Sequence, residues 1–102
     1  MKKKLVRDNI PEIIKLSGKH CRYFKASSKD QHMALLKEKM IEELEEFMQD
    51  PCPEEAGDML EVLLSMIKLT GISFEDVQDT SYVKMLERGS FSLGIVLESV
   101  ED

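Results

Sequence analysis

Four carboxylates at regular spacing are the residues of this chain best suited to chemistry. Glu43-x-x-Glu46 and Glu55-x-x-Asp58 each place two acids three positions apart, hence on one face of a helix. With about 100° of rotation per residue and Leu36 set at zero, Met33, Leu36, Met40, Leu44 and Phe47 cover an apolar arc of roughly 80°. Glu43 falls about 20° outside that arc, and Glu46 lies one turn further along the same border. On the next segment Ala56, Met59, Leu60, Val62, Leu63, Leu64, Met66 and Ile67 span roughly 200°. Glu55 lies inside this second arc and Asp58 at its edge. Acids turned toward a partner helix are expensive to desolvate unless something positive neutralises them. No Lys or Arg stands on the apolar face of the second helix, so a bound cation would solve the problem. Oxygen-only ligands suit a hard ion, Mg²⁺ or Mn²⁺, of the kind that also bridges to substrate phosphates. A di-iron carboxylate bundle needs a His three residues after a Glu, and neither His20 nor His32 follows a Glu at that distance.

A plainer reading stays open beside this one. Glu38, Glu42, Glu45 and Glu61 read as ordinary solvated charges, and Lys39 with Glu43 is an i,i+4 pair of about 0.2–0.5 kcal/mol. On that reading the chain is a non-catalytic, dimerising helical module.

The elements that must position these acids follow from the punctuation. Asp8 or Asn9 caps a first helix with Pro11 in its first turn, and Gly18 ends it. Ser28-x-x-Gln31 forms a capping box for a long helix reaching about Met48. The connector 49–53 contains Pro51 and Pro53, and the second acidic helix runs from there to Thr70-Gly71. Ser73-x-x-Asp76 opens a last helix to about Glu87, stopped by Gly89. Residues 20–26 read as a short strand or an extended connector, and residues 91–97 as a short strand that Tyr23–Ala26 would pair with. Lys84 and Arg88, four apart near the end of the last helix, are able to grip one anion together, or equally are cations placed favourably at a helix C-terminus. Lys4 and Arg7, in the basic start KKKLVR, are two further candidates for phosphate; the alternative for them is a solubilising terminus.

Composition bounds the rest. The chain has 102 residues, 42% hydrophobic and 33% charged, which fits one folded domain over 1–102. A net charge of −6 argues against long nucleic acid or an anionic membrane as partner. No apolar run approaches a membrane span, and no signal peptide is read at the basic start, so a cytoplasmic protein is expected. Cys21 and Cys52 lack a CxxC context and are expected as reduced thiols. The phosphate loop G-x-x-x-x-G-K-[ST], the dinucleotide motif G-x-G-x-x-G and the zinc motif HExxH are all missing.

Four blocks in order, KLVRDNIPEIIKLSG, LKEKMIEELEEF, EEAGDMLEVL and KMLERGSFSLGIVLE, resemble the small MazG-like house-cleaning enzymes. These belong to the all-alpha nucleoside triphosphate pyrophosphohydrolases, a superfamily that also holds phosphoribosyl-ATP pyrophosphohydrolase. The resemblance covers nearly the whole chain. Its ExxE and ExxD pairs map onto Glu43, Glu46, Glu55 and Asp58. It implies a mainly α helical bundle completed as a homodimer or homotetramer. It implies Mg²⁺-dependent cleavage of a nucleoside triphosphate, often a damaged one, to monophosphate and pyrophosphate, with phosphoribosyl-ATP as an alternative substrate. Two places depart from the family pattern. Eight residues separate Glu46 from Glu55, fewer than is usual, and Ser90-Phe91 follows Gly89 where a second glycine is common.

Overall fold

Ser28 starts the helix that carries the first acidic pair. Its Oγ accepts the Gln31 N–H at 3.0 Å, which satisfies one of the orphan donors of the first turn. The Gln31 side chain reaches back past the cap and accepts the Ser27 N–H at 2.6 Å, one residue further out than a standard capping box. The computed structural model describes residues 3–102, so Met1 and Lys2 of the basic start lie outside it. Its four helices are α1 (Ile10–Leu16), α2 (Lys29–Gln49), α3 (Pro53–Thr70) and α4 (Phe74–Arg88). The mainly α expectation holds, with each predicted helix found within a residue or two of its expected bounds.

The connector between α2 and α3 is only residues 50–52, and Pro53 takes the first position of α3, where its missing N–H is no loss. α3 ends on Gly71, whose φ of 79° is the left-handed conformation that lets a chain leave a helix. So short a turn forces α2 and α3 together as a hairpin, and the two helices pack against each other along their length. Leu36 on α2 and Val62 on α3 are its buried apolar side chains, 3% and 7% exposed. The third buried residue is an acid, Glu43.

The chain forms two compact units, Met1–Gly71 and Ile72–Asp102. In the first, residues 3–9 form an irregular arm leading into α1, which buries none of its side chains. In the second, α4 opens on Ser73, whose Oγ accepts the Asp76 N–H at 3.4 Å, and it too buries nothing.

The expected strands do not form. Residues 20–26 and 91–97 are irregular, and the described residues contain no sheet. A strand needs a second edge for its backbone groups, and neither segment has one. The later run is also broken from within. Gly94 adopts a φ of 63°, and its N–H turns back to the Phe91 carbonyl at 3.4 Å, which takes the chain out of extended geometry.

Candidate metal centre

The helical hairpin brings the two acidic pairs together through Glu43. One carboxylate oxygen from each of Glu43, Glu55 and Asp58 lies within 4.8 Å of the other two. Glu42, Glu43 and Glu46 form a second group on the same criterion, so Glu43 belongs to both. The eight-residue separation from Glu46 to Glu55, short as it is, does not keep the pairs apart.

Burial within the cluster is uneven. Glu43 is 5% exposed, Glu55 and Asp58 are half-buried, and Glu46 is exposed. The helical phase put Glu43 on the flank of the apolar arc and Leu44 within it. In the structure Glu43 turns inward, and Leu44 is 45% exposed. The α2–α3 seam is therefore rotated toward Glu43, a difference within the 100° between neighbouring helical positions.

Cations of the chain neutralise only part of this charge. Lys39 Nζ lies 3.3 Å from Glu43 Oε1 and 3.4 Å from Glu42 Oε2. Lys4 Nζ is 3.8 Å from Glu42 Oε1. Arg7 Nη2 donates to Asp58 Oδ1 at 2.8 Å. Among the described residues two oxygens have no partner: Glu43 Oε2 and Glu55 Oε2 are buried without a hydrogen bond. Burial pushes the Glu43 carboxyl above the usual range, and the negative charge of Glu46 adds to this while Lys39 opposes it. Glu55 is also raised, first by desolvation and then by the charges of Asp58, Glu43 and Glu54.

Buried polar atoms are ordinarily satisfied, so two orphaned carboxylate oxygens in one cluster point to a missing positive partner. An octahedral Mg²⁺ binds oxygens at about 2.1 Å and so holds opposite ligands about 4.2 Å apart. Neighbouring ligands sit closer, about 3.0 Å apart, so a trio within 4.8 Å would close by up to about 1.8 Å on taking up the ion, a movement within the reach of carboxylate side chains. The all-oxygen donor set and its negative charge fit Mg²⁺ or Mn²⁺.

The remaining candidates stand differently. Lys4 and Arg7, expected at phosphate, are engaged by Glu42 and Asp58. Lys84 and Arg88 lie on one face of α4, both exposed, in the second unit. Sequence reasoning passed over Glu42, taken for a solvated charge, and treated Lys39 as an ordinary pair. The signal was present in the spacing, since Lys39 precedes Glu42 by three and Glu43 by four positions. The Arg7–Asp58 pair spans 51 positions and left no trace in the sequence. No family model, curated protein or solved structure matches this chain.

Proposed function

We propose that this chain is a Mg²⁺-dependent nucleoside triphosphate pyrophosphohydrolase of the MazG-like kind, cleaving a damaged or otherwise non-standard triphosphate to monophosphate and pyrophosphate. The observation that carries the reading is Glu43: a buried carboxylate with one orphaned oxygen, beside Glu55 and Asp58 on the facing helix. A structural acid would have its second oxygen satisfied or exposed. The four-block resemblance adds the substrate class.

In this reading Glu43, Glu55 and Asp58 hold the cation, with Glu46 bordering the cluster. The ion supplies positive charge to phosphate oxygens and makes a neighbouring water more acidic. Lys39 keeps Glu43 Oε1 occupied and leaves the buried Oε2 free for the ion. Glu46, exposed at the border of the cluster, is assigned the role of accepting the proton of an attacking water. Lys4 and Arg7, on the arm beside the cluster, are cations for phosphate oxygens, and Lys84 and Arg88 are assigned that role on chemistry alone. Two free thiols, Cys21 and Cys52, fit a reducing cytoplasm, and no helix among the described residues is long and apolar enough to cross a membrane. A second copy of the chain completes the bundle as a homodimer or homotetramer.

Pyrophosphate release from a panel of nucleoside triphosphates, with MgCl₂ and with chelator, tests the reading. Wild type is expected to turn over at least one of them only with the metal. Glu46→Gln and Asp58→Asn should each lower turnover by about 100-fold or more while keeping the helical signal. Full activity in both variants would refute the assignment. The exposed apolar side chains of α2 and α3 favour a second reading, the non-catalytic dimerising module, which predicts no turnover and no response to metal.

A further inference from the structure

Arg7 bridges the arm to the acid cluster, and its position has a consequence for how the cluster binds a cation. The arm, residues 3–9, has no regular structure to hold it. Two ion pairs tie it down, Lys4 to Glu42 on α2 and Arg7 to Asp58 on α3. Of the two, Arg7–Asp58 is the close one, at 2.8 Å with a hydrogen bond. Asp58 is also one of the three acids whose oxygens cluster within 4.8 Å. Glu43 and Glu55 in that trio each keep an oxygen buried without a partner, but Asp58 has a partner from the chain itself.

We propose that Arg7 is a resident counter-cation of the acid cluster, and that it and a divalent cation compete for Asp58. The inference rests on the metal-centre reading above. Arg7 is well exposed, and an exposed ion pair is worth only a modest amount. A divalent ion therefore displaces it without difficulty, and the freed guanidinium stays on a tethered arm beside the bound ion. Metal binding thus exposes a bidentate anion ligand next to the metal. The order of events that follows is metal first, phosphate second.

Removing a competitor should tighten metal binding, whereas removing a structural support should weaken it. The sign separates the two roles. The test is calorimetric titration of the full chain with MnCl₂ alone, at fixed ionic strength, on wild type, Arg7→Gln, Arg7→Lys and Lys68→Gln. Lys68 lies in the last turn of α3, exposed and in none of the ion pairs of the cluster, and it controls for the loss of one positive charge. Arg7→Gln should bind Mn²⁺ about two- to fivefold more tightly than wild type, the range expected for releasing an exposed pair. Arg7→Lys, which keeps the charge, and Lys68→Gln should both stay close to wild type. Unchanged or weaker binding in Arg7→Gln, with Mn²⁺ bound normally by wild type, overturns the competition and leaves the metal centre standing. Equal tightening in Lys68→Gln also overturns it, because the effect would then be one of net charge. A wild type that binds no Mn²⁺ overturns both.

Discussion

Glu43 concentrates the physical tension of the site. It is an acid at a position of two helices where an apolar residue would pack without penalty, and one of its oxygens has no partner. Its carboxyl is raised by burial, so the native state holds that proton more tightly than the unfolded chain does. The stability this contributes is fully present below the ordinary glutamate value, about 4.3, and is lost as pH rises through the raised native value. Without divalent cation, Glu43→Gln should therefore melt close to wild type near pH 4. Its advantage over wild type should grow toward pH 7, each 1 kcal/mol showing as roughly 4 °C or more in a domain of this size. Lys39 is not orphaned by the change, since Glu42 Oε2 lies 3.4 Å from it. Melting curves recorded in chelator across that pH range check this, and a pH-independent difference between the two proteins would contradict it.

At the scale of elements, the legible parts were those with local causes. Ser28, Pro53, Gly71 and Ser73 each act within a turn of themselves, through a side-chain cap, a fixed φ or a left-handed exit, and each bound its helix where the sequence placed it. The acidic pairs were legible for the same reason, because i,i+3 spacing fixes a face whatever the helix packs against. What the sequence did not reveal depends on partners far along the chain. The rotation of α2 that buries Glu43 and exposes Leu44 is decided by the facing side chains of α3, not by α2's own pattern. Arg7 finds Asp58 only once the arm is folded back. The two expected strands failed on the same ground. Tyr23 and Phe24 have the composition of a strand, as does the run from Ile95 to Leu97, but strand propensity expresses packing on a sheet and there is no sheet for either to join.

Across the whole molecule, apolar surface is the dominant unsolved quantity. In the first unit Ile41, Leu44 and Met48 make an exposed stripe on α2, and Leu60 and Leu63 are 52% and 45% exposed on α3. In the second, the segment after α4 leaves Phe91, Leu93, Ile95, Val96 and Leu97 between 77% and 100% exposed. Isolated exposed apolar residues need no explanation, but stripes of them mark surfaces that another chain covers. Light scattering on the purified protein should give a multiple of 11.7 kDa, two or four. Leu44→Asp combined with Leu63→Asp should move it toward the single-chain mass with the helical signal retained. A wild type of single-chain mass at micromolar concentration would remove the second copy from the account. The acid cluster of Glu43, Glu55 and Asp58 lies within the first unit alone, so the cation-binding claim does not depend on that outcome.

That claim is tested most directly by thermal melting of wild type and of the Glu43→Gln/Asp58→Asn double variant, each in chelator and in about 5 mM MgCl₂. For a dissociation constant ten times below that concentration, mass action adds about 1.4 kcal/mol, or roughly 6 °C or more at this size. The account predicts such a rise in the wild type and none in the double variant, which should also start higher in chelator because its buried charge is gone. No rise in the wild type, or an equal rise in both proteins, would contradict it.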